Sequence, residues 1–327
     1  MNPRTKEFPV HRRIIIPILA LVFASVGTAA NAQPPGGRPG MRKHTATQSQ
    51  PLRLVPATEE PKGNSKHSDQ TVEGKRVLEG NGIPEHKVGQ FPNRGNPHSI
   101  AQQRYLFKVP ANPQVADQIT SANNPPGRQG PPNRPFGIAL NGVLLDPGTA
   151  EFWMGNRSLG WNYEALGGAV GLGLDVNHAH VQPDGSYHYH GLPTLYLQKL
   201  GMVATVHSPQ LGWAADGFPI YAMYGYSDAV DPKSPIVELT SSYRLKSGTR
   251  PDGEEGPGGN YDGAFTRDYE YVAGSGTLDE CNGRTCVTPE FPDGTYAYFL
   301  TNDWPVIPRN FRGTPIELRA GGPGPRR

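Results

Sequence analysis

The chain has 327 residues, and its 31 basic and 29 acidic side chains leave a formal net charge of +2. That near balance, without a long basic run or interleaved aromatic and basic residues, argues against nucleic acid as a partner. Charged residues make up only 18% of the chain while glycine and proline number 41 and 35, a composition that points to a loop-rich β protein.

In chain order, Arg4, Lys6, Arg12 and Arg13 precede an apolar run at 14–26, and Ala30-Asn31-Ala32 offers a small-residue cleavage site. Residues 1–32 therefore read as a secretory signal, with the mature chain expected to begin near Gln33. The apolar run is too short for a bilayer, and no later stretch approaches about 20 apolar residues. The expectation is a soluble periplasmic or secreted protein with no integral membrane segment after signal removal. Residues 33–95 are rich in Pro, Gly, Gln, Ser, Thr and Lys and are expected to form a disordered linker, since they offer little apolar surface to offset chain entropy.

A mainly β domain is expected over 96–318, followed by a flexible tail at 319–327. Residues 104–109 read as a strand, and Asn141-Gly142 between apolar runs at 136–145 is a hairpin signal. One short helix is expected at 194–200, stopped by Gly201. Further strands are expected at 218–224, 242–245, 269–272 and 294–300. Short strands separated by Gly/Pro turns favour a sandwich or irregular barrel.

The chemistry concentrates between these strands, where His178, His180, His188 and His190 form two His-x-His pairs. Alternate residues of a strand face one way, so each pair shares a side. Pro183, Asp184 and Gly185 between them read as a three-residue loop with Gly185 in the left-handed bulge position. That loop sets Gln182 opposite Ser186, Val181 opposite Tyr187, His180 opposite His188, Ala179 opposite Tyr189 and His178 opposite His190, placing four imidazoles on one face. A two-residue loop would slip the register and scatter them. Imidazoles on such a grid can meet at one ion about 2 Å from each nitrogen, although a flat face surrounds an ion poorly. A donor from elsewhere is therefore expected, with His207, Asp216 and Asp175 as candidates and His98 behind them. Copper or zinc suits an imidazole set without sulfur.

A second, degenerate copy of the unit follows. Leu174-Asp175 leads to Pro183-Asp184-Gly185 and then Tyr187 and Tyr189; Leu278-Asp279 leads to Pro292-Asp293-Gly294 and then Tyr296 and Tyr298. Asp216 to Ile220 after the first copy aligns with Asp303 to Val306 after the second. The tyrosines recur and the histidines do not, which makes the tyrosines scaffold and the domain two similar halves.

Tyr187-His188-Tyr189-His190, with the segments at 137–143, 161–167, 216–221 and 278–283, resembles the YHYH-domain family of bacterial exported proteins over about 135–315. The resemblance implies that the histidine hairpin is the defining site and names no reaction.

Cys281 and Cys286 in an exported chain are expected to form a short-range disulfide. Asp252, Glu254, Glu255 and Asp262 in a Gly-rich loop match no calcium-loop spacing and read as a solvated loop. The residues at 225–229 only loosely echo a nucleophile elbow, which needs an α/β sheet. Three functions stay open: metal capture, a metal-dependent enzyme (an oxidase or hydrolase) with an open coordination position and Tyr187, Tyr189 or Asp216 assisting, and a structural or recognition domain whose histidines form a hydrogen-bonded face.

Overall fold

The computed structural model describes residues 43–123 and 133–318. The expected signal at 1–32 and tail at 319–327 lie outside the described residues. The architecture is mainly β, built on one eight-stranded mixed sheet with smaller sheets around it and no closed barrel. No helix among the described residues is long and apolar enough to cross a membrane.

The segment expected to be a linker is structured from residue 43 onward. β1 (His67–Val72) and β2 (Lys75–Gly80) form a hairpin, and β2 pairs with β3 (Tyr105–Pro110) in a three-stranded sheet. Its outer strand is nearly all exposed, which is why composition misled. Few of these residues are apolar, but Leu78, Ile83 and Val88 are buried, and backbone pairing ties the segment down. Val55 and Asp175 bridge in parallel, and Gly89 donates its N–H to Asp175 Oδ2 at 2.9 Å.

The large sheet contains β4 (Gly137–Ala139), β5 (Leu144–Leu145), β6 (Ala179–Val181), β7 (Tyr187–Tyr189), β8 (Gln210–Ala214), β9 (Pro219–Tyr221), β10 (Gly283–Cys286) and β11 (Thr295–Phe299). Their spatial order is β10-β11-β9-β8-β4-β5-β7-β6. The single α-helix among the described residues, α1 (Thr194–Lys199), ends before Gly201 at φ 74°, as its sequence predicts.

That order contains the same four-stranded unit twice. In each, a tight hairpin (β4 and β5, or β8 and β9) pairs in parallel with the last strand, which pairs antiparallel with the third. The two units meet at β4 and β8, where Gly212 faces Ala139, Trp213 faces Ile138 and Ala214 faces Gly137, a register that reads the same from either side. Local details repeat as well. Tyr187 Oη donates to Asp175 and Tyr296 Oη to Asp279. His178 and Asn282 occupy matching left-handed turns at φ 52° and 54°. The topology thus supports the duplication, with one correction: the segment from Asp216 to Ile220 corresponds to Asn141 to Leu145 of the first unit. Asp303 to Val306 forms no strand.

The cysteines are not bonded. Cys281 packs in the main core cluster and Cys286 in a separate one with Tyr221 and Phe299, and β10 runs extended between them. A disulfide needs the two Cα atoms within about 7 Å. Burial raises both thiols above their ordinary pKa.

Candidate metal centre

The hairpin adopts the three-residue loop. Gly185 sits at φ 87°, Gln182 N–H donates to Ser186 O at 2.9 Å, and β6 pairs with β7 as Val181 to Tyr187, His180 to His188 and Ala179 to Tyr189. A side chain on Gly185 would have no room, because its Cβ would lie 2.4 Å from Ala101 Cβ.

Alternation then divides the motif between two faces. Tyr187 and Tyr189 are fully buried on one side, where Tyr187 donates to Asp175 Oδ2 at 2.8 Å while Tyr189 Oη accepts from Asn141 and lies 2.7 Å from His86 Nε2. The imidazoles leave the other side. His188 Nε2 lies 3.0 Å from His190 Nε2, which lies 3.1 Å from His180 Nε2. The three rings form a symmetric cluster, each pair of centroids 4.7 Å apart and steeply inclined. His188 and His190 are buried, and His180 is half-buried. This triad could hold a metal ion.

The outer nitrogens determine what the inner ones can do. His180 Nδ1 donates to Leu172 O at 2.9 Å, and His188 Nδ1 to Ser186 O at 3.2 Å. The Pro147 carbonyl beside His190 favours its charged form without forming a regular hydrogen bond to Nδ1. Carbonyls only accept, so the neutral tautomer at His180 and His188 carries its hydrogen on Nδ1 and its lone pair on Nε2. The lone pairs of His180 and His188 therefore both point at His190 Nε2, about 3 Å away: with its hydrogen on Nε2, His190 donates to them, and with its hydrogen on Nδ1 it completes a set of three lone pairs that a cation would hold together. Three nitrogens about 2.05 Å from one tetrahedral ion stand roughly 3.3 Å apart, close to the spacing found. Protons are poor occupants at neutral pH: burial, then the neighbouring His188, lowers His180 to about 3, and burial lowers His190 well below its ordinary value.

Not every expected ligand joins this cluster. His178 precedes the strand in its left-handed turn, so strand alternation does not apply to it, and its Nδ1 donates to Leu192 O at 2.8 Å. His207 lies in the second unit among Tyr221, Tyr226 and Phe299, with Nδ1 donating to Ser208 O. Asp216 occupies the turn between β8 and β9, where it accepts from Tyr298 Oη at 2.5 Å and Gly313 N–H at 2.8 Å. Asp175 serves the tyrosine face. His98 lies near enough to oppose a charge on His180 but outside the triad. In the second unit the triad positions hold Arg284, Ala297 and Phe299, and no imidazole cluster forms there.

Sequence reasoning did not anticipate the supporting carbonyls of Leu172 and Ser186, because a carbonyl carries no residue signature. His86 was also missed, since it lies in the segment read as a linker, and so was Asn96, the first residue after it, which belongs to no motif. Asn96 donates to Val181 O at 2.9 Å and so ties down β6.

The YHYH protein family matches residues 106–313, well over half of the chain. This chain belongs to the YHYH family. Comparison with curated proteins and with solved structures returned no match. The family's namesake motif is the strand that sends tyrosines into the core and two of the three clustered imidazoles to the opposite face.

Proposed function

We propose that this YHYH protein binds one transition metal ion, copper or zinc, through the Nε2 atoms of His180, His188 and His190. The observation that carries the reading is the convergence of three inner nitrogens at 3.0 and 3.1 Å while carbonyls hold the outer nitrogens of His180 and His188. Carbonyls in that position fix the tautomer and orient the ring, as outer-shell partners do at histidine metal sites. A set of imidazoles without sulfur favours zinc or copper(II) over copper(I).

A second reading, catalysis, rests on the number of ligands. Structural zinc sites are closed by four protein ligands, whereas catalytic sites supply three and keep a position open. Three imidazoles meet here, and a cavity borders His188. A bound ion would supply a Lewis acid and lower the pKa of a water in its open position. Export to the periplasm or medium, read from residues 1–32, is part of the proposal and predicts a mature N-terminus near Gln33.

The test is elemental analysis of untagged protein from its native compartment, alongside the His188→Ala/His190→Ala double variant. About one copper or zinc per chain that disappears in the variant is the expected result. Absence of metal, with no uptake of added copper or zinc near neutral pH, overturns the proposal and leaves the histidine face to structure or recognition.

A further inference from the structure

Residues 50–55 and 167–176 run side by side and are tied together at both ends. Gln50 N–H donates to Gly167 O at 3.0 Å at one end. At the other, Val55 N–H donates to Leu174 O at 2.8 Å and Val55 O accepts from Val176 N–H at 3.0 Å. Between these ties the two segments enclose a cavity of about 300 Å³, at the lower end of the range of ligand pockets. None of the clustered histidines lines it.

Two independent features describe an occupant. The first is a surplus of backbone donors at Leu172, Gly173 and Leu174, which all line the cavity. Their three carbonyls are engaged: Leu172 O accepts from His180 Nδ1, Gly173 O from Asn93 Nδ2 at 3.0 Å, and Leu174 O from Val55 N–H. Their three N–H groups have no acceptor among the described residues, although Leu172 and Leu174 are only 8% and 2% exposed. Buried N–H groups without a partner are rare in folded proteins. Gly173 sits between them at φ 67°, and successive N–H groups around a left-handed residue form a concavity suited to an anion. The second feature is the side chains. Among the described residues, Arg53 is the one charged residue on the cavity wall, it has no carboxylate partner, and no acidic residue lines the cavity. Leu52, Ala165 and Val170 supply apolar surface. Unused donors with a single cation select a monoanion, and the apolar wall selects one that carries a hydrocarbon part.

We propose that this cavity binds a short-chain carboxylate, whose oxygens accept from Arg53 and from the N–H groups of Leu172 and Leu174 while its hydrocarbon part lies against Leu52 and Val170. The proposal goes beyond metal binding and stands without it. Leu172 still belongs to both places, since its N–H serves the cavity and its carbonyl holds His180.

NMR titration of the ¹⁵N-labelled full chain with hexanoate, hexylammonium, 1-hexanol and inorganic phosphate tests it. Saturable binding of hexanoate alone is expected, with downfield shifts of the Leu172 and Leu174 amide protons as they gain an acceptor. Arg53 is exposed, so Arg53→Gln should fold with an unchanged thermal midpoint and bind hexanoate about tenfold more weakly, the loss of one charged hydrogen bond. Arg53→Lys should recover most of that affinity. No saturable binding, equal binding of hexanol, hexylammonium or phosphate, amide shifts confined to other segments, or unaltered affinity in Arg53→Gln overturns the proposal. Should Arg53→Gln fail to fold, the amide shifts of the unmodified chain decide. The His188→Ala/His190→Ala variant separates this site from the metal centre: metal should be lost while hexanoate binding persists.

Discussion

His178 and His180 are two positions apart, yet only His180 reaches the cluster. The difference lies in one backbone angle, since φ of 52° at His178 takes it out of the strand and aims its ring at Leu192 O. Burial decides the protonation of the others. His180 titrates near 3 in the folded chain, against 6.5 when exposed. Below about pH 6.5 the unfolded chain takes up a proton that the folded chain refuses, so metal-free protein keeps this stability above that pH and loses it as pH falls toward 3. Urea midpoints of the metal-free protein should therefore fall between about pH 6.5 and 4, less steeply in His180→Gln; an identical slope would contradict the assignment. The cysteines make a second residue-scale prediction. Both are buried and unpaired, so a thiol reagent should modify neither in the native protein and both after denaturation, without a reductant. Failure to label both in denaturant would indicate the disulfide.

The hairpin of β6 and β7 shows how much a single turn can specify. Its register was legible because Pro183, Asp184 and Gly185 admit few loop types, and a slip of one residue would exchange imidazoles for tyrosines. Gly185→Ala puts a Cβ where φ is 87° and Ala101 stands 2.4 Å away. It should cost about 1 to 3 kcal/mol in urea unfolding and weaken metal binding through His188; wild-type values for both would show that the turn does not hold the site. The strand at residues 67–72 was not legible. Five of its six residues are exposed, so it has no apolar alternation, and its place comes from pairing with β2.

Across the whole molecule, two units of one topology carry different chemistry. Asp175 accepts from Gly89 N–H, Asn177 N–H and Tyr187 Oη, and Asp279 accepts from Cys281 N–H, Gly283 N–H and Tyr296 Oη. The two carboxylates hold the same turn in the two halves. Asp175→Asn and Asp279→Asn should each destabilise by about 2 to 3 kcal/mol, while only Asp175→Asn lowers metal affinity. Equal loss of metal in both variants would mean that the second half supports the site directly. The packing explains why the second half does without imidazoles: Phe299 and Tyr221 stack there in a small apolar cluster.

The sequence by itself determined the mainly β class, the hairpin and its register, and the division of tyrosines and histidines between two faces. These follow from local rules, namely turn chemistry and a side-chain period of two. Only the tertiary structure decided that three of the four histidines meet, that His207 and Asp216 serve the other half, and that residues 43–95 close the tyrosine face. Those outcomes depend on contacts between distant segments: Asp175 with Gly89, His86 with Tyr189, and Leu172 with His180. Neither spacing nor composition encodes which carbonyl a buried imidazole will find.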